Sequence, residues 1–115
     1  MRHHNANRKF GLKSNKRNAL MKSLARSLVL EEKIKTTEAK AKELRPYVEK
    51  LVTAGMKDTV AIRRALTVKV GEDGSKKLVE VISPKYKERK GGYTRITKMG
   101  TRANDASPMA RIEFV

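Results

Sequence analysis

TVKVGEDGSKKLVEVI, Thr67 to Ile82, admits two self-consistent readings, and the choice between them decides how much of the chain is helix and how much is sheet. Both ends alternate apolar with polar residues and EDGS, Glu72 to Ser75, resembles a tight turn, which together describe a β-hairpin. The same residues also fit helix, loop, helix. Local pattern leaves both open.

Its flanks are plainer. Upstream, Gly55 is a helix stop and Asp58 a cap for a third helix through TVAIRRAL, Thr59 to Leu66. EKIKTTEAKAKE places a short strand around Ile34 and a second helix opened by Thr36 or Thr37, with Glu38 in its first turn. Leu44, Val48 and Leu51 form that helix's inner stripe. Pro46 costs about 3 kcal/mol in an unbroken helix, so a kink or restart is expected near Arg45. In a first helix, capped by Ser14 or Asn15, Leu20, Met21, Leu24, Ala25 and Leu28 share one face, and Lys22, Ser23 and Arg26 lie on others. Downstream, the β-branched run YTRITKM suits a strand, and ARIEFV alternates with Ala110, Ile112 and Phe114 on one side; the two pair across GTRANDASP.

Residues 1–13 show no hydrophobic period and read as an extended basic arm. The expected architecture is α/β of the α+β type. A single compact domain over 14–115 carries about three to five helices on a small mixed or antiparallel sheet, with the arm at 1–13 preceding it. At 115 residues such a domain buries roughly two thirds of the surface its unfolded chain exposes. With 38% hydrophobic and 35% charged residues, its core is thin.

Lys and Arg number 28 against 12 Asp and Glu, a net charge of +16. Such self-repulsion is common where the working state includes a polyanion, and nucleic acid is the leading candidate. A membrane surface suits the chain less, since it has no Trp, and its longest uncharged run, Leu51 to Met56, is far too short to span a bilayer. Without a signal-peptide segment, the expected location is the cytoplasm. The absence of Cys excludes disulfides, thiolate catalysis and Cys-based zinc sites.

The cations are clustered. Arg2, Arg8, Lys9, Lys13, Lys16, Arg17, Lys22 and Arg26 precede the first carboxylate, Glu31. Lys16 and Arg17 in a first helical turn oppose the macrodipole, and a docked phosphate satisfies them together with the unpaired N–H groups there; otherwise the run is a solvated basic tail. A second cluster, Lys85 to Arg102, holds seven cations and the single acid Glu88. Within it Gly91-Gly92 is either an ordinary strand entry needing positive φ or a place where backbone approaches a phosphate, flanked by Lys90 and Arg95.

No GxGxxG or GxxxxGKS/T loop is present, and KGGYTRI does not fit the RNP1 pattern. With only five aromatic rings, phosphate and shape contact with folded or double-stranded nucleic acid is a better reading than a stacking platform. Phe10 in the arm and Tyr93 beside the glycines are the two rings with a place to stack on a base, although such residues more often pack locally. His3 and His4 have no third ligand nearby, so backbone or phosphate contact is expected of them and no metal site. Glu38 faces Lys42 and Arg45 faces Glu49 at i,i+4 spacing as surface pairs. No nucleophile, base and orienting group can be nominated, so neither an enzyme, a cofactor nor a small-molecule substrate is expected.

MRH at the start, IKTT leading into KAKEL, GGYTRI, and the closing PMA-x-IE, with the register between them, resemble the L17 family of bacterial large-ribosomal-subunit proteins from end to end. The resemblance implies helices packed on a small sheet, a basic arm reaching into ribosomal RNA, and a place on the outer side of the large subunit near the exit tunnel, among neighbouring ribosomal proteins. It also implies helix, loop, helix for the VKVGEDGSKK region. The chain departs from the pattern at Asn104-Asp105, where members often carry Gly-Asp, and in ending at Val115 without the acidic extension of many members.

The expected function is a structural constituent of the large subunit that binds its RNA through phosphates. Contacts are assigned to Arg2, His3, Arg8, Lys9, Lys13, Lys16, Arg17, Lys22, Arg26, Lys35, Arg89, Lys90, Gly91, Gly92, Tyr93, Arg95, Lys98 and Arg102. The alternative is a free nucleoid-type or regulatory DNA-binding protein. It is weakened by a first helix with no Asn or Gln beyond Asn15 and Asn18 to read base edges.

Overall fold

In a computed structural model, which describes residues 8–115, Thr67–Ile82 is helical and contributes no strand. Helix α3 runs Val60–Lys77, continues in wide π-type turns over Leu78–Ile82 and closes in a 3-10 turn over Ser83–Tyr86. Leu66, Val70, Gly74, Leu78 and Ile82 recur at every fourth position and all are buried, a stripe that the helical turns bring to one side. The turn that a hairpin would place at EDGS is instead a break at Gly71, whose φ of 81° and ψ of 172° lie outside any helix. This is the helix, loop, helix arrangement of the resemblance. A side chain at Gly71 would also meet Arg26 Nη1 at 2.8 Å.

Helix α1 spans Ser14–Glu31 and α2 spans Glu38–Gly55. Neither Ser14 nor Asn15 caps α1: extended Lys13 is the half-in residue, its carbonyl accepting from Arg17 N at 2.9 Å, and its side chain makes no capping bond. Thr37 caps α2 as expected, accepting from Lys40 N at 3.3 Å. Pro46 does not break α2, which continues through it to Gly55. Pro46 is exposed, so the carbonyl of Lys42 that loses its partner faces water rather than the core. Thr59, not Asp58, caps α3, accepting from Ile62 N at 3.2 Å because its own backbone is extended. Asp58 instead accepts from Arg63 Nε and Nη2 at 2.7 and 3.1 Å.

Gly55 does end α2, but its requirement is space rather than a left-handed turn. A Cβ there would lie 2.5 Å from Ser83 Oγ, which is held in place by donating to the Val52 carbonyl at 2.8 Å. Gly55→Ala is therefore expected to destabilise the fold by about 1–3 kcal/mol, as overpacking does, read as a lower urea midpoint with unchanged slope.

Strands β1 (Lys33–Thr37), β2 (Thr94–Thr101) and β3 (Pro108–Phe114) form one antiparallel sheet in the order β1-β3-β2. The β2–β3 pairing is the expected one, and β1 adds to the free edge of β3. Ile34, Ile112 and Ile96 align across the sheet and pack into the core. The rows Lys33, Glu113, Arg95 and Lys35, Arg111, Thr97 therefore point the other way. Helix α2 touches all three strands, while α1 and α3 pack on each other and on α2. Leu28, Leu44, Val52, Leu78 and Ile112 are fully excluded from water in the shared core, each contributing about 1.5–3 kcal/mol.

Ion pairs tie these layers together. Arg26 donates to Asp73 through two nitrogens at 2.7 and 2.9 Å, bracing α1 against the break in α3. Burial pushes the Glu32 carboxyl up, but Lys77 and Lys85 at 3.4 and 3.5 Å outweigh it, and its net pKa is lowered. Asp58 is likewise lowered by its hydrogen bonds from Arg63, and Asp105 by those from Arg102 and the Ser107 N–H. Carboxylates lowered in the fold add stability that is complete above their ordinary values of 4.5 and 3.8 and disappears as pH falls through and below that range. Urea midpoints are expected to agree between about pH 5 and 7 and to drop at about pH 3.

Candidate nucleic-acid interface

The described end of the arm folds back on the domain. Leu12 N donates to the Lys9 carbonyl at 3.0 Å, with Phe10 and Gly11 both at positive φ, and Arg8 pairs with Glu43 of α2 at 3.0 Å. This turn walls a cleft of about 790 Å³ whose other sides are Arg17, Asn18, Met21 and Lys22 of α1, Pro46, Tyr47, Lys50 and Leu51 of α2, and Lys69 of α3. Helical spacing explains the convergence: Arg17 and Met21, Asn18 and Lys22, and Tyr47 and Leu51 are each four apart. Six cations surround the cleft against the one acid Glu43, which is already paired with Arg8. Lys69 Nζ lies 5.8 Å over the Tyr47 ring, and burial raises the pKa of the Tyr47 hydroxyl.

The outward face of the sheet is a second basic surface. Lys33, Lys35 and Arg95 are exposed on it, and Arg111 is half-buried between them. The single acid of these rows, Glu113, is shared between Arg95 at 3.3 Å and Arg111 at 3.7 Å. Arg111 Nε is buried and has no hydrogen-bond partner among the described residues.

Several residues expected at the interface have other duties. Tyr93 is a core residue, 1% exposed: its ring lies 5.2 Å from that of Tyr86, and its hydroxyl is bonded to Thr53 Oγ1 at 3.1 Å, so it offers no face to a base. Arg26 is occupied by Asp73. Arg102 donates to Asp105 at 3.1 and 2.8 Å, which shapes the Asn104-Asp105 loop together with the bond from Arg102 N to the Ser107 carbonyl at 2.8 Å. Lys98 lies 3.9 Å from Glu38, and Arg89 donates to the Gly92 carbonyl at 3.2 Å while lying over Tyr86. Gly92 has a φ of +67°, as a strand entry requires, and nothing stands within 4 Å of a Cβ built at Gly91 or Gly92, so that backbone is open to approach. Lys13, Lys16 and Lys90 are exposed, and Arg2 and His3 lie outside the described residues.

Residues 20–115 match the family model described as Ribosomal protein L17. The chain belongs to the ribosomal protein L17 family. It is 50% identical over 116 residues to the large ribosomal subunit protein bL17 of Sphingopyxis alaskensis, covering 100% of this chain and 84% of that protein. It is 47% identical to the bL17 proteins of Shouchella clausii, over 93% of this chain and 97% of that one, and of Thermomicrobium roseum, over 100% and 99%.

In this member of the L17 family, Arg8, Lys9, Arg17 and Lys22 meet around one cleft, and Lys35 and Arg95 share one sheet face. Lys50, Lys69, Lys33 and Arg111 complete these surfaces and were missed by sequence reading. A signal existed for Arg111: in ARIEFV it alternates with the apolar residues, as Lys33 and Lys35 alternate with Ile34. For Lys69 none existed, because it reaches the cleft only through the packing of α3.

Proposed function

We propose that this protein is a structural constituent of the large ribosomal subunit, binding its RNA mainly through phosphates and carrying out no reaction of its own. The observation that carries the reading is the set of cations around the cleft, five of them without a carboxylate among the described residues, in a chain of net charge +16. Those charges repel one another in the free protein. Phosphates relieve the repulsion, and the counterions released from RNA drive association.

The arm at 1–13 with the cleft it walls, and the basic sheet face, are the two contacts, and the domain at 14–115 spaces them. Large-subunit proteins near the exit tunnel are the proposed neighbours, in cytoplasmic ribosomes. Family membership supports this reading over a free DNA-binding protein. If ten cations meet phosphates, log K against log[salt] for purified protein and large-subunit RNA has a slope of roughly −7 to −9. A slope near zero, or sedimentation of the cellular protein with nucleoid DNA instead of large subunits, overturns it.

A further inference from the structure

We propose that the cleft between the arm turn, α1 and α2 is a subsite for one unpaired nucleotide of RNA, its base against Tyr47 and its phosphates on the surrounding cations. This rests on the RNA-binding reading above and adds a kind of recognition that phosphate contact alone does not supply. The two basic surfaces differ in chemistry. On the sheet face the cations stand beside Thr97 with no aromatic ring among them, which suits a row of phosphates. The cleft is lined by the apolar side chains of Met21, Pro46 and Leu51 beside the Tyr47 ring as well as by cations. A phosphate has no use for that apolar lining; a base has, because every base presents an apolar π-face.

Size and charge agree. About 790 Å³ lies within the 300–1,000 Å³ typical of ligand clefts. The Tyr47 ring is half-buried, so little side-chain freedom remains to be lost on stacking. Lys69 Nζ lies over one face of that ring at 5.8 Å, and a base that stacks on this face displaces the ammonium from the ring onto the base's own phosphate. The ligand must be anionic, because Glu43 is engaged by Arg8 and no other acid lines the cleft. Stacking of this kind tolerates any base, so the class is an extruded nucleotide rather than a particular sequence.

The test uses the full chain and two RNA hairpins of equal length, one fully paired and one with a single-nucleotide bulge carrying 4-thiouridine. Wild type is expected to bind the bulged hairpin about 5- to 150-fold more tightly, the range set by one stacked base. Light-induced crosslinks should map to the α2 segment around Tyr47. Tyr47→Leu should abolish the preference while leaving affinity for the paired hairpin and the salt slope unchanged, and Tyr47→Phe should retain it. Equal affinity of wild type for the two hairpins, or crosslinks confined to the sheet strands, overturns the subsite while leaving phosphate binding intact. Failure to bind either hairpin in a salt-dependent way overturns both readings. The wild-type comparison and the crosslink decide the matter even if Tyr47→Leu is poorly folded.

Discussion

Lys33→Gln, Lys35→Gln and Arg95→Gln in combination are expected to weaken binding to large-subunit RNA about a hundred- to five-hundredfold at roughly 0.1 M salt, and to reduce the slope of log K against log[salt] by about 2 to 3. Each cation that meets a phosphate contributes roughly 0.7–0.9 to that slope, and the same factor per tenfold dilution of salt to the affinity. The three side chains lie in adjacent rows of the outward sheet face, where they are exposed and hold no core contact. Among the described residues only Arg95 of the three has a carboxylate partner, Glu113, and an exposed pair of this kind is worth about 0.2–1 kcal/mol, so the fold should survive. The check is a filter-binding titration at four salt concentrations beside a urea melt. An unchanged slope with an unchanged melt would remove the sheet face from the interface.

Ile112→Ala is expected to cost about 2–5 kcal/mol of a net stability that for such domains is only about 5–15 kcal/mol. Ile112 is 0% exposed and sits at the middle of the central strand, between Ile34 on β1 and Ile96 on β2. Truncation opens a cavity beside both neighbouring strands and α2, into which the surrounding structure relaxes only partially. Thermal midpoints should fall by about 8–40 °C, since each kcal/mol shifts a domain near this size by about 4–8 °C. Val68→Ala, on the 66% exposed side of α3, should change stability by less than about 0.5 kcal/mol. Similar melts for the two variants would contradict the central position of β3.

Most elements were legible because their signals are local. The alternation in ARIEFV and the β-branched residues of YTRITKM identified paired strands, and Thr37 with Glu38 identified the start of α2. The cap positions at Lys13 and Thr59 were each misplaced by one or two residues, because a cap is the last residue still extended before the helix, and neighbouring polar residues look alike. Tyr93 was misjudged for another reason. Next to two glycines and a run of cations it resembles a ligand contact, but the first residue past that turn points inward to Tyr86 and Thr53.

By itself the sequence determined what depends on residue type and near-neighbour spacing: a surplus of positive charge segregated into two clusters, the faces of α1 and α2, and the inward side of β3. Tertiary structure alone decided the state of Thr67–Ile82 and the membership of the cleft. In that segment an alternating pattern and a fourfold stripe coexist, and the free energies of the two local conformations differ by less than the burial of Leu66, Val70, Leu78 and Ile82 against α1 and α2 supplies. The helix therefore forms because there is a surface for its stripe to meet, and the same packing carries Lys69 to Tyr47 and builds a basic cleft from residues more than twenty positions apart.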